Sequence, residues 1–211
     1  IKDVAPLGAL VGVERLNLQA NEIADLAPLA GLTRLKVLEL SDNRVADVSA
    51  LAGLTGLKVL RLKRNAVADI TPLAKLTGLI SLDLEGNRVN DVSALGNMRE
   101  LNWLALGQNR LEDLGPLSAL TNMRHLYLER NRLADIAPLQ SLNLLRSLSL
   151  KQNRVDDLTA LGAMAQLNWL ELDRNRVTSL APLAGMPALR NLYIADNRIT
   201  VLQPLLGLKA L

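Results

Sequence analysis

Two tryptophans, two tyrosines and a single histidine are the side chains of this sequence with the most to offer chemically, and cysteine and phenylalanine are absent. His125 is the sole side chain that titrates near neutrality by nature. With one imidazole and no thiol, no Ser-His-Asp or Cys-His set is evident, and no disulfide or thiolate metal site is available. No glycine-rich phosphate loop is present either. Catalysis is therefore not expected, and neither is a cofactor or a metal. Trp103, Tyr127, Trp169 and Tyr193 point to different chemistry: exposed Trp and Tyr are the residue types that anchor protein interfaces.

The spacing of these residues points to what positions them. Trp103, His125 and Trp169 are separated by multiples of 22 residues, and so are Tyr127 and Tyr193. The same period is written far more plainly by asparagine, at Asn21, Asn43, Asn65, Asn87, Asn109, Asn131, Asn153, Asn175 and Asn197. Each closes the phrase Leu-x-x-Leu-x-Leu-x-x-Asn-x-(Ile/Val/Leu), as in Leu35 to Asn43 and Leu167 to Asn175. A fixed period of this length is the mark of a solenoid.

Each repeat reads in two halves. Leu38-Glu39-Leu40 alternates apolar and polar residues, which is a short strand with one buried face. The second half reads as a short helical turn returning along the other side. Pro28, Pro72, Pro116, Pro138, Pro182 and Pro204 suit its first position. Where alanine stands there instead, Ser49, Ser93 or Thr159 precedes it and is expected to cap the free N–H groups. Strands repeating at fixed spacing stack in parallel at about 4.8 Å per repeat, while the returning side is bulkier, so the array must curve with its sheet on the concave face.

The phrase resembles the leucine-rich repeat. Asp25 to Leu32 and Asp69 to Leu76 resemble the 22-residue class of bacterial internalins. The resemblance covers the whole chain. It implies a right-handed α/β repeat solenoid with a parallel sheet on the concave face, short helical turns on the convex face and a non-enzymatic protein-binding role. It also implies a bacterial surface or secreted setting, since internalin-type proteins are adhesins of that kind.

The array forms one domain, residues 1–211. Residues 1–12 are a partial repeat, and about nine repeats of 22 residues fill 13–208 without insertion or deletion. No terminal caps are present, so the chain is expected to be a piece of a longer protein or to associate end to end. No apolar run reaches the roughly 18 residues of a membrane span. The net charge of +3 is small and implies no strong pull toward a polyanion.

Three columns recur beside the leucines. The asparagines should turn inward and satisfy backbone groups of their own turn and the next, since an amide offers two donors and two acceptor lone pairs. Aspartates Asp3, Asp25, Asp47, Asp69, Asp91, Asp113, Asp135 and Asp157 supply one carboxylate per repeat. Calcium needs about six converging oxygens, so an Asx-type turn before the helical segment is the better reading. The ladder lapses at Ser179 and Val201, where the last two turns should be held less firmly.

The third column is arginine, at Arg44, Arg88, Arg110, Arg132, Arg154, Arg176 and Arg198. Arginine and aspartate lapse at different repeats, so they are not obligate partners. The arginines form a solvated rim that helps orient an acidic surface, and Arg110, Arg132, Arg154 and Arg176 flank the aromatic half. A polyanion or nucleic-acid site on this column is the alternative, with a steep salt dependence as its signature. A designed or purely architectural scaffold without a ligand is a further alternative.

The concave face presents the third and fifth positions of the phrase. All five aromatic and histidine residues fall in these two columns, and all lie in the C-terminal half. Trp103 and His125 should be neighbours on adjacent strands, about 5 Å apart, with Trp169 roughly 10 Å beyond His125. Gln108, Glu129, Arg130, Lys151, Gln152, Asp173 and Arg174 flank them. The N-terminal half offers Glu39, Arg61, Lys63 and Asp83 instead, a mixed charged surface suited to steering a ligand. The partner site is thus placed on Trp103, His125, Tyr127, Trp169 and Tyr193, with Arg110, Arg132, Arg154 and Arg176 as its rim, for a protein ligand.

Overall fold

A computed structural model describes all residues, 1–211. Nine three-residue strands form one parallel sheet in chain order: β1 (Arg15–Asn17), β2 (Val37–Glu39), β3 (Val59–Arg61), β4 (Ser81–Asp83), β5 (Trp103–Ala105), β6 (His125–Tyr127), β7 (Ser147–Ser149), β8 (Trp169–Glu171) and β9 (Asn191–Tyr193). Equivalent positions pair across every junction, so Trp103 faces His125 and Ser147 faces Trp169. The register is set by the leucines. Leu104, Leu126, Leu148 and Leu170 point inward and are fully buried, and a slip of one residue would expose all of them. The core is one continuous cluster of Leu, Val, Ile, Met and Ala that contains none of the aromatic residues.

The returning halves are 3-10 turns of three or five residues, such as Ala27–Leu29 and Thr71–Lys75. They begin one residue earlier than the prolines imply, so Pro28 and Pro72 take the second place in the turn. The expected hydroxyl caps are not made either: Ser49, Ser93 and Thr159 are themselves the first residues of their turns. The aspartate supplies the cap. Asp47 Oδ1 accepts from the Ser49 N–H at 2.8 Å, and Asp157 Oδ1 accepts from both the N–H and the hydroxyl of Thr159, at 2.8 and 2.6 Å. The Thr159 hydroxyl therefore serves the aspartate, which reaches forward over two residues to the first N–H of the turn. Where the aspartate lapses, Ser179 Oγ takes the same N–H at a longer 3.3 Å.

The asparagine ladder runs toward the preceding repeat, opposite to the direction expected. Asn131 Nδ2 donates to Leu106 O at 2.9 Å and to Leu128 O at 3.0 Å, and its Oδ1 accepts from Leu111 N at 3.0 Å. Leu106 and Leu111 belong to the repeat before. One side chain thus closes its own turn and clamps it to its predecessor. The residue before each asparagine is forced into the left-handed region: Ala20, Asp42, Arg64, Gly86, Gln108, Arg130, Gln152, Arg174 and Asp196 all have φ between 50 and 70°.

Both ends of the core are open, with Ile1, Leu10 and Val11 exposed at one and Val201, Leu202, Leu206 and Leu211 at the other.

Candidate functional site: an aromatic row on the concave sheet

Strand geometry turns the third and fifth positions of the phrase away from the core, and the aromatic side chains there lie against one another. Trp103 and Tyr127 have ring centroids 5.6 Å apart, Tyr127 and Trp169 6.3 Å, and Trp169 and Tyr193 5.8 Å, all tilted by 50–58°. These are favourable edge-on separations. The contacts run diagonally, from third to fifth column and back. The rows therefore join into a single staircase from β5 to β9.

Small residues make that staircase possible. Ser147 and Ser149 occupy both outward positions of β7, and Ser149 is only 1% exposed, its Oγ donating to Glu171 Oε2 at 2.9 Å. Tyr127 and Trp169 meet above a strand that separates them. Ala105, paired in register with Tyr127, is buried as well. At the N-terminal end the row continues with a cation: the Arg61 guanidinium stands 4.5 Å from the Trp103 ring centroid, reaching across β4, where its Nη1 donates to Ser81 Oγ at 2.7 Å. Arg61 reads in the sequence as part of a separate steering surface; the structure makes it the first member of the row. The signal for this was Ser81, too small to keep the two apart.

His125 stands beside the row and does not join the stack. Its Nδ1 lies 3.2 Å from Ser147 Oγ. Burial, with Arg146 and Arg124 nearby, holds its pKa below the ordinary histidine value, so the ring is neutral at physiological pH. Tyr193, on the last strand, is the most open member at 46% exposure.

The arginine column lies apart from the row. Arg110, Arg132, Arg154 and Arg176 follow the asparagines, beyond the end of the strands, and all are exposed. Arg132 bridges to Glu112 at 3.3 Å and Arg44 to Glu22 at 2.9 Å, while Arg88, Arg110, Arg154, Arg176 and Arg198 form no ion pair. The charged groups next to the rings come instead from two other columns. Lys151 Nζ is held by Glu171 Oε1 at 2.9 Å and Asp173 Oδ2 at 3.7 Å, and Lys63 Nζ by Glu85 Oε2 at 2.6 Å. Beyond them, Arg130 Nε donates to Gln152 Oε1 at 2.6 Å and Arg174 pairs with Asp196 at 3.1 Å.

Two carboxylates on this face are pushed above their ordinary range. Burial raises the pKa of Asp83, against the pull of a backbone N–H and Arg61. Burial also raises that of Glu129, helped by the charges of Glu85 and Glu171. The side chain of Glu129 lies over Gly107, where a Cβ would fall 2.6 Å from the Glu129 carboxyl carbon. The sequence shows Glu129 as one of several flanking polar residues; its glycine neighbour one repeat earlier is the clue to its position.

The repeat length, the leucine and asparagine phrase and the single parallel sheet with short turns define a repeat-built solenoid. Models of the family described as Leucine Rich repeats (2 copies) match residues 11–53, 33–75, 55–97, 99–141 and 121–163, and the chain belongs to the leucine-rich-repeat family. Its repeats are of the internalin kind. The solved structure of the internalin inlF from Listeria monocytogenes is 35% identical over 100% of this chain, with a TM-score of 0.97, and this chain spans 62% of that one. Internalin C2 of the same species is 29% identical over 96% of this chain and 80% of its own, with a TM-score of 0.74. A leucine-rich-repeat protein of Leptospira interrogans, LIC12759, is 25% identical over 94% of this chain and 53% of its own, with a TM-score of 0.89. No curated protein sequence matches.

Proposed function

We propose that this chain is a protein-binding module that seats a protein ligand on its concave face, with Trp103, Tyr127, Trp169 and Tyr193 as the anchors and His125 beside them. The observation that carries this reading is the staircase itself: four partly exposed aromatic rings in mutual contact, outside the core, on one side of a rigid sheet. Rings pre-packed against each other lose little freedom when a partner covers them, and that lowers the cost of association. Charged residues surround the row, the anatomy of an interface core with its rim. The likeness to internalins supports a bacterial surface or secreted setting for this activity.

Alanine at Trp103 and Trp169 together should weaken ligand binding by at least about tenfold, since each removes an anchor of the kind that dominates interface energy. Unchanged affinity would defeat the proposal. The five arginines without ion pairs favour a second reading, a polyanion held on the exposed column. Its mark would be affinity falling steeply with salt and surviving the double tryptophan substitution.

A further inference from the structure

Beside the aromatic row lies a hollow of about 300 Å³ whose walls include Tyr127, Trp169, Glu129 and Glu171, with Ser149 among its lining residues. We infer that this hollow receives a cationic side chain, lysine or arginine, from the protein ligand, between the rings of Tyr127 and Trp169 and the carboxylate of Glu129. The inference rests on the reading of the concave face as a protein-binding surface and names what that surface selects.

Three observations converge on a cation. Aromatic faces attract positive charge, and the row already holds one guanidinium in this manner, Arg61 on Trp103 at 4.5 Å. Glu129 Oε2 is buried and has no hydrogen-bond partner, the sole side-chain atom of the protein in that position. An unpaired acceptor of this sort is costly to keep, and a donor brought by a ligand would satisfy it. Finally, the protein's own cations at the hollow, Lys151 and Arg130, have partners other than Glu129. Lys151 is held by Glu171 and Asp173, and Arg130 Nε donates to Gln152. The charges that act most on Glu129 itself are two further carboxylates, Glu85 and Glu171.

An anionic partner residue would meet repulsion here. A neutral apolar one would leave Oε2 unpaired. A lysine or arginine gains a charge-assisted hydrogen bond and a ring contact together.

The test uses short blocked peptides, identical except for one central residue, lysine, arginine, norleucine or glutamate. Binding is followed by NMR at the indole N–H of Trp169, with Trp103 as an internal reference. Lysine and arginine peptides should shift Trp169 saturably and bind at least about fivefold tighter than norleucine, and glutamate should not bind. Glu129→Gln should remove that preference while leaving the norleucine peptide unaffected. Gly107→Ala, which drives the carboxylate out of its place, should act in the same direction. Equal binding of lysine and norleucine, or an unchanged preference in Glu129→Gln, would overturn the inference. If both peptides bind equally and both are lost in Trp169→Ala, the aromatic site stands and the cation pocket falls. If no peptide shifts Trp169 at all, the pocket falls as well, and the concave site is decided separately by the double tryptophan variant.

Discussion

Tyr127 and Trp169 touch, ring to ring at 6.3 Å, although β7 runs between their strands. The contact exists because β7 offers only Ser147 and Ser149 to that face. Replacing Ser149 with leucine would place a branched side chain where the rings meet. Trp169 emission should shift to the red as the pair separates, and stability should fall by about 1 kcal/mol, the worth of one aromatic pair. An unchanged spectrum would show that the serines are not what lets the row close.

The asparagine ladder should be unequal along its length. Asn131 joins four backbone groups across two repeats, and it is buried. Asn21 bonds only Leu18 O, Gln19 O and the terminal amine of Ile1. Asn131→Ala leaves buried groups unpaired at roughly 1–3 kcal/mol each, and Asn21→Ala should cost about 1 kcal/mol or less, since water reaches its partners. Denaturant midpoints of the two variants would compare them directly.

Eight residues other than glycine are held at positive φ, and Ala20, at 57°, makes no side-chain hydrogen bond there. Ala20→Gly removes the clash of Cβ with the following carbonyl, and the net gain should be about 0.5–1 kcal/mol after the larger entropy of glycine in the unfolded chain is subtracted. Gly86→Ala is the reverse experiment. At φ 70°, with Arg64 Cγ 3.2 Å from the added Cβ, it should destabilise by about 1 kcal/mol. Thermal melts that move in the same direction for both would contradict this reading.

Glu129 predicts a pH dependence of known sign. Its folded-state pKa lies above the ordinary 4.5, so the folded protein holds the proton more tightly than the unfolded chain. Stability contributed by that proton is present below 4.5 and is lost as pH rises through the folded value. Glu129→Gln should therefore be more stable than the parent at pH 7, and the difference should shrink toward pH 4. Urea unfolding of both proteins at the two pH values checks it.

The repeat was legible because a solenoid writes its geometry as a period. Once Asn131 and Leu126 were placed, the strand, the buried face and the outward columns followed, and with them the concave position of Trp103 and Tyr127. What the period does not encode is how far a side chain leans. Trp103 faces His125 in register yet packs on Tyr127, because a large ring takes the diagonal over Ala105. Arg61 crosses β4 for the same reason, over Ser81. Neighbours that are absent or small decided these contacts, and a reading that follows the large residues passes over them. The turns start one residue earlier than the prolines imply because proline tolerates the second position as well as the first, and the aspartate, two residues ahead, sets the boundary.

The account stands most directly on one comparison. Ligands selected on the intact chain from a displayed library should be measured against the parent and against the variant carrying Trp103→Ala and Trp169→Ala, at fixed salt, with folding checked by circular dichroism. The account predicts at least about a tenfold loss of affinity in the variant with the fold retained. Equal affinity for the two proteins would contradict it and place the binding surface elsewhere on the solenoid.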